Sequence, residues 1–248
     1  MRSLSLQSSW SVDALPDFRR DIPNLSAALN RASVAVIAEI KRSSPSRGVI
    51  NAGIDSAAQA RRYEMGGAAA ISVLTEPARF GGSDADIAGV AEAVMLPVLK
   101  KDFHVTEAQI AHAAMTRASA ALIIVRAVSP EELIHLANAA RSAELEIVFE
   151  VRDERELERA IDAGARMIGV NNRNLETLEI DRSTVPRIIP LIPRECIAIA
   201  ESGYSTKSEV EEAASAGADA VLVGSSLSAS QNPEEAVRSL SSVARQAR

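Results

Sequence analysis

From residue 34 onward the chain alternates short apolar runs with longer polar stretches. The β-rich runs are VAVIAEI (34–40), AAISVLT (69–75), PVLKKD (97–102), ALIIVRA (121–127), EIVFEV (146–151), RMIGVNN (166–172), CIAIAES (196–202) and AVLVGSS (220–226). Between them lie segments such as DSAAQARRYEMGG, SPEELIHLANAARSAE and TKSEVEEAASAGA, whose apolar residues recur at helical spacing. The boundaries carry their own signals. Ser129-Pro130-Glu131-Glu132 reads as an N-cap followed by proline at the first helical position, and Ser83 as another N-cap. Gly164 and Gly217 fall where helices should end.

Eight strand–helix units with no break in composition predict a (β/α)8 TIM barrel over residues 34–248, a single domain. A doubly wound open sheet produces the same alternation. The count of eight and the absence of a G-x-G-x-x-G turn after the first strand favour the barrel. Residues 1–33 form a short N-terminal extension. It is expected to cover the bottom of the barrel with one or two short helices, anchored by Trp10.

Composition narrows the function. Of the 248 residues 47% are hydrophobic but only 3% aromatic, which suits branched strands packed on alanine-rich helices. A net charge of −6 argues against nucleic acid as the main partner. Cys196 is the only cysteine, so neither an intramolecular disulfide nor a cysteine-rich metal site is available. His104, His112 and His135 lack ligand-like spacing. No run approaches a membrane span and the first residues lack the apolar region of a signal peptide, so a cytoplasmic protein without membrane contact is expected.

Charge within a barrel strand is costly unless it sits at an end with partners. Glu39 and Lys41 end strand 1, Lys101 strand 3, Glu150 strand 5, Asn171 strand 6 and Glu201 strand 7, all toward the face where barrel enzymes keep their chemistry. Side chains alternate across a strand. By that parity Glu39 and Lys41 share a face with Ile37, Lys101 with Leu99, Glu150 with Val148, and Glu201 with Ile199. Ion pairs that merely close the barrel top are the structural reading of any one pair. Two lysines and three glutamates on four strands, all at one end, favour a site. The interleaved lysines would neutralise the carboxylates, so no metal is expected. Cys196 opens strand 7 at the wrong end for a nucleophile and is assigned to the core. Asp102 is expected to hold a lysine or a loop, and His104 to lie on a surface loop.

Strand 7 runs into Glu201-Ser202-Gly203 and strand 8 into Gly224-Ser225-Ser226. Loops at these two positions often hold phosphate through backbone N–H groups. Ser202, Gly203, Gly224 and Ser225 are therefore the candidate phosphate-binding residues, with Lys41 or Ser-Pro-Ser nearby to add charge or hydrogen bonds. The expected partner is a small phosphorylated metabolite.

The stretches EIKRSSPSRG, LTEPARFGGS, PVLKKDF, EIVFEVRDERELERA, IGVNNRNLETLEID, AESG and LVGSSL, in this order, resemble the successive signatures of indole-3-glycerol phosphate synthases. The resemblance runs from about residue 25 to the end. It implies a cofactor-free lyase of tryptophan biosynthesis. Such an enzyme converts 1-(2-carboxyphenylamino)-1-deoxyribulose 5-phosphate to indole-3-glycerol phosphate, carbon dioxide and water. By position in the motifs, Lys101 is implied as general acid for ring closure, through a pKa lowered by a neighbouring cation, and Glu150 as base. Glu39 and Lys41 are the other pair available for dehydration, with the roles between them left open. Asn171 and Arg173 are implied to hold the aryl carboxylate or the sugar hydroxyls, with Ser44 on the same group and Glu201 on a ribulose hydroxyl. Phe80 and Phe103 would pack on the aromatic ring. The chain is expected to be a monomer or weak homodimer.

Two readings compete. A phosphoribosylanthranilate isomerase-like enzyme would use a cysteine and an aspartate at strand ends, whereas strand 1 offers Glu39 and Lys41. A catalytically silent metabolite-binding barrel would be marked by loss of Lys101 or Glu150, and both are present. Departures from the family pattern are a short segment before EIKR, Asn174 in place of aspartate, and Tyr204 after ESG, where it is expected to crowd the phosphate loop or alter affinity.

Overall fold

The computed structural model describes residues 21–248. Trp10 and most of the extension lie outside the described residues. Eight parallel strands close into a barrel in chain order. They are β1 (Ala35–Ile40), β2 (Ala70–Leu74), β3 (Val98–Lys101), β4 (Ala120–Ile124), β5 (Glu146–Val151), β6 (Met167–Asn171), β7 (Ile197–Glu201) and β8 (Ala220–Val223). The ring closes where β1 meets β8, with Ala35 beside Ala220 and Ala38 beside Val223. The described helices are α1 (Leu25–Leu29), α2 (Ser56–Met65), α3 (Pro77–Phe80), α4 (Asp84–Ala93), α5 (Glu107–Ala114), α6 (Pro130–Ser142), α7 (Glu154–Asp162), α8 (Thr184–Ile188), α9 (Lys207–Ser215), α10 (Ser225–Ser228) and α11 (Pro233–Leu240).

Strand alternation divides the apolar residues into two cores. Ile37, Leu99, Leu122, Val148, Ile199 and Leu222 fill the barrel interior. Val36, Ile71, Ile123, Phe149, Ile168 and Val221 face outward and pack on Tyr63, Ile87, Ile110, Leu133, Leu157 and Val210 of the helices. Helices start where the sequence signals them. Ser129 and Glu132 form a capping box around Pro130, and the Ser83 side chain accepts from Ala85 N. Gly164 and Gly217 take the left-handed conformation after α7 and α9, with φ of 81° and 92°.

Two strands end sooner than their apolar runs suggest. The fourth stops at Ile124, and Val125–Ala127 turn as a 3-10 helix from which Arg126 pairs with Glu156 and Glu176. The eighth stops at Val223. Ser225–Ser228 coil into α10, whose Ser228 Oγ donates to the Glu39 carbonyl at 3.0 Å and accepts from Lys41 N at 3.1 Å. A run of small polar residues after a strand reads as more strand by composition. Here the hydrogen bonds to β1 turn it into a helix.

The bottom of the barrel is sealed by α1. Leu25 and Leu29 are fully buried among the interior residues. The amides of Leu25 and Ser26 donate to Glu146 Oε2, at 2.6 and 3.2 Å, so a strand-start carboxylate caps a helix start. The chain end reaches the same face. Arg248 Nη1 and Arg245 Nη2 lie 2.7 and 2.6 Å from the buried carboxylate of Asp219, which also accepts from Ala198 N at 2.7 Å. Truncating Leu29 to Ala is expected to lower the unfolding free energy by about 2–5 kcal/mol, read from urea denaturation.

Candidate active site

Parity and the closed ring bring the five charged residues into one mouth. Lys101 Nζ lies 3.0 Å from Glu150 Oε2 and 3.3 Å from Glu201 Oε2. Lys41 Nζ lies 2.9 Å from Glu39 Oε1, and Ser72 Oγ donates to the other oxygen of Glu39 at 3.4 Å. All three glutamates are buried. Two glycines make room for them. A Cβ on Gly169 of β6 would stand 2.1 Å from Glu201 Oε1, and one on Gly224 would stand 2.3 Å from Glu39 Oε1. The acid next door is what excludes a side chain at each position.

The expected lowering of the Lys101 pKa is wrong. Burial presses the lysine toward its neutral form, but the charges of Glu150, Glu201 and Glu39 outweigh it, and the pKa is raised. The other cation, Lys41, is paired with Glu39, so carboxylates dominate around Lys101. Glu201 moves in the opposite sense to Glu150. Burial raises Glu201, Lys101 pulls it back, and Glu150 and Glu39 push it up again, leaving it at about 7. Burial also raises Glu150, but Lys101 and the hydrogen bonds from Asn171 and Lys101 bring it below the usual carboxylate range. Near neutrality Glu150 therefore carries the charge and Glu201 holds a proton part of the time.

Around this cluster opens a cavity of about 580 Å³, a size that suits a small metabolite. Every site residue named from the sequence lines it. Phe80, at the end of α3, and Phe103, in the loop after β3, stand with ring centroids 6.4 Å apart. Ser202-Gly203 and Gly224-Ser225 come from the loops after β7 and β8. Ser44 belongs to a two-stranded ribbon, Ser43–Ser44 against Gly48–Val49, that folds the loop after β1 back on itself. Ser44 Oγ and Glu201 Oε1 are buried without a hydrogen-bond partner among the described residues. Buried polar atoms in a cavity wall ordinarily find a partner, and a ligand can supply it.

Not every polar group in the wall is free. Asn171 Nδ2 donates to Glu150 Oε1 at 2.9 Å, and its Oδ1 accepts from Arg173 N at 2.9 Å. Its amide is therefore spent on holding Glu150 and the start of the next loop. Arg173 reaches the Leu178 carbonyl at 2.6 Å, and burial together with Arg47 lowers its pKa. Two guanidiniums that repel each other in a cavity favour an anion there. Arg47 and Arg182 also line the cavity and were missed from the sequence. Both lie in loops, where strand parity says nothing. Arg47 had a weak signal, as the last charge of the Ser-Pro-Ser-Arg turn.

His104 is buried, contrary to the surface position expected. Its Nδ1 sits 2.8 Å from the Leu122 carbonyl, and burial lowers its pKa. Asp102 holds the loop, accepting from Thr75 Oγ1 at 2.5 Å and from Phe103 N at 2.8 Å. Cys196 is buried at the closed end, with Sγ 3.3 Å from the Ala165 carbonyl. Asn174 Oδ1 accepts from Glu176 N and Thr177 N, a turn an aspartate would make equally well. The Tyr204 ring packs against the core, and its hydroxyl meets Asn172 Nδ2 at 3.3 Å. Among the described residues no helix is long and apolar enough to cross a membrane.

Fold and mouth together define a class: a (β/α)8 barrel with lysine–carboxylate pairs on its cavity floor and glycine-bearing loops after β7 and β8. Comparison with known proteins carries the assignment further. The family model described as indole-3-glycerol phosphate synthase matches residues 5–240. An indole-3-glycerol phosphate synthase of Streptomyces griseus is 47% identical over 94% of this chain and 88% of its own. An indole-3-glycerol phosphate synthase 1 of Streptomyces coelicolor is 50% identical over 86% of this chain and 80% of its own. The chain belongs to the indole-3-glycerol phosphate synthase family. Among solved structures, a thiamine phosphate pyrophosphorylase from Pyrococcus furiosus superimposes with a TM-score of 0.64 over 84% of this chain and 94% of that one. At 15% identity it supports the fold alone.

Two outcomes are expected from the cluster. Glu201 binds its proton more tightly in the folded than in the unfolded chain, so the stability it contributes is complete below about pH 4.5 and is lost as pH rises through about 7. Glu201→Gln, which stands in for the protonated acid, should flatten that decline when urea midpoints are compared from pH 5 to 8. Gly169→Ala should destabilise by about 1–3 kcal/mol through the clash with Glu201. Combining it with Glu201→Ala should recover part of that loss, a non-additivity visible in a double-mutant cycle.

Proposed function

We propose that this chain catalyses the family reaction, closing 1-(2-carboxyphenylamino)-1-deoxyribulose 5-phosphate to indole-3-glycerol phosphate, with Lys101 as the acid of the first step. One observation carries the reading: a lysine ammonium held by Glu150 and Glu201 at 3.0 and 3.3 Å on the floor of the cavity.

In ring closure the aryl carbon bearing the carboxylate attacks the C2′ carbonyl carbon. A carbon–carbon bond forms, the carbonyl π pair moves to oxygen, and that oxygen takes a proton. Lys101 supplies it. The raised pKa keeps the ammonium loaded at neutral pH, and the proton passes to an oxygen whose basicity rises to a comparable level as the alkoxide develops. The fixed positive charge also stabilises that oxygen before the proton moves. Carbon dioxide then leaves, and its bonding pair restores the aromatic ring. In the last step a proton leaves C1′ and the C2′ hydroxyl departs with a proton as water, completing the indole.

Glu150, kept ionised by Lys101 and Asn171, is the base in this reading and can return a proton to Lys101. The Lys41–Glu39 pair sits beside Gly224 and supplies the second acid–base couple, for dehydration. Arg173 with Arg47 suits the aryl carboxylate, since a guanidinium fork matches a planar anion. Ser44 can donate to the same group. Phe80 and Phe103 offer aromatic surface to the ring, and the protonated form of Glu201 can hydrogen-bond a ribulose hydroxyl. Ser202, Gly203, Gly224 and Ser225 receive the phosphate. Asn171 acts through Glu150 as a positioning residue.

The test is to add the substrate to purified protein and follow indole fluorescence. Wild type should produce indole-3-glycerol phosphate, and Lys101→Ala should lose about 10²–10⁴-fold in kcat/KM. Because the Lys101 pKa lies above the ordinary lysine range, wild type should show no alkaline loss from this residue up to about pH 9. Absence of product from folded wild-type protein would remove the synthase reading and leave a binding barrel.

A further inference from the structure

The phosphate loop after β7 is built from beneath by the loop after β6. Ser202 and Gly203 both have positive φ, 67° and 92°, and Ser202 is one of three non-glycine residues to do so among those described. A β-carbon in that region is strained, so something must hold it there. Two side chains do. Asn172 Nδ2 donates to the Ser202 carbonyl at 3.1 Å, and Arg182 Nη2 donates to the Gly203 carbonyl at 2.9 Å. Both holders are themselves fixed. Asn172 is buried, and its Oδ1 accepts from Val185 N at 3.1 Å. Arg182 is ion-paired with Glu209, whose other oxygen accepts from Ser205 N at 2.6 Å and Thr206 N at 3.0 Å. Ile180 closes over Gly203, where a Cβ would come within 3.2 Å of it.

The carbonyl of one residue and the N–H of the next point in opposite directions across a trans peptide. Pinning the Ser202 and Gly203 carbonyls toward the β6 loop therefore turns the Gly203 and Tyr204 amides the other way. Neither amide has an acceptor among the described residues. Ser202, Gly203 and Tyr204 all line the cavity. Successive free amides of this kind form an anion-binding concavity.

We propose that Asn172 and Arg182 are positioning residues for phosphate recognition, aiming the Gly203 and Tyr204 amides at the phosphate by holding the two carbonyls behind them. The proposal deepens the synthase reading and rests on it for the identity of the phosphate ester. Arg182 acts here through the backbone, its charge already matched by Glu209.

The experiment is calorimetric titration of inorganic phosphate into wild type, Asn172→Ala, Arg182→Ala, Arg182→Lys and Glu209→Gln, with KM and kcat for the synthase substrate alongside. Arg182→Ala should weaken phosphate about tenfold, the loss of one charged hydrogen bond, and raise KM more than it lowers kcat. Arg182→Lys should recover part of this, and Glu209→Gln should weaken phosphate too. Phosphate affinity within about twofold of wild type in Arg182→Ala would overturn the proposal. So would tighter binding in Glu209→Gln, which would make the released arginine a direct counter-ion. Should the buried Asn172 variant fail to fold, the exposed Arg182 variants decide alone. A folded wild type that binds no phosphate would also sink the proposal. Phosphate binding without turnover would instead remove only the synthase reading.

Discussion

Everything at the open end of this barrel depends on one constraint: charge buried in a protein must be matched where it sits. Glu39, Glu150 and Glu201 are almost wholly out of water, and any one alone would cost several kcal/mol. Lys101 answers two of them and Lys41 the third. Three acids against two bases leave one charge too many, and Glu201 absorbs the excess by holding a proton up to about pH 7. The same arithmetic explains the glycines. Gly169 and Gly224 lack side chains because carboxylates occupy the space a Cβ would take.

The two ends of the molecule divide the work. At the closed end α1 is inserted as an apolar plug, and Asp219 is saturated by Arg245, Arg248 and a strand amide. At the open end, among the described residues, Ser44 Oγ and Glu201 Oε1 have no partner and two backbone amides have no acceptor, while Arg47 and Arg173 repel each other. Polar groups without a partner in a cavity wall make it receptive to a polar ligand. A substrate with a carboxylate, hydroxyls and a phosphate would supply what is missing.

Between the strands and that cavity stands a layer of residues that act on other residues. Asn171 holds Glu150, Asp102 holds Phe103, and Arg42 reaches the Gly81 carbonyl and both oxygens of Asp86, tying the loop after β1 to the loop after β2. Such groups carry no reactive chemistry, yet a shift of about 1 Å in what they hold is enough to disturb a reaction geometry.

How much of this was written in the chain follows from the reach of each signal. Period-2 alternation is local, so strand order, the eight-fold count and the face carrying Lys101, Glu150 and Glu201 were legible from residues within each run. The small residues in ESG and GSS marked the two loops at the mouth. Pairing was not legible. That Lys41 neutralises Glu39 while three acids surround Lys101 reverses the expected direction of its pKa, and it depends on which strands become neighbours in the ring. Arg182, His104 and the end of β8 escaped for the same reason. Each is set by a partner distant in sequence: Gly203, Leu122 and Glu39. The sequence by itself determined which residues face inward at the strand ends, because that depends only on backbone geometry. The tertiary structure decided which of those residues are charged, held or free, because electrostatics and hydrogen bonding depend on distances that only closure of the barrel creates.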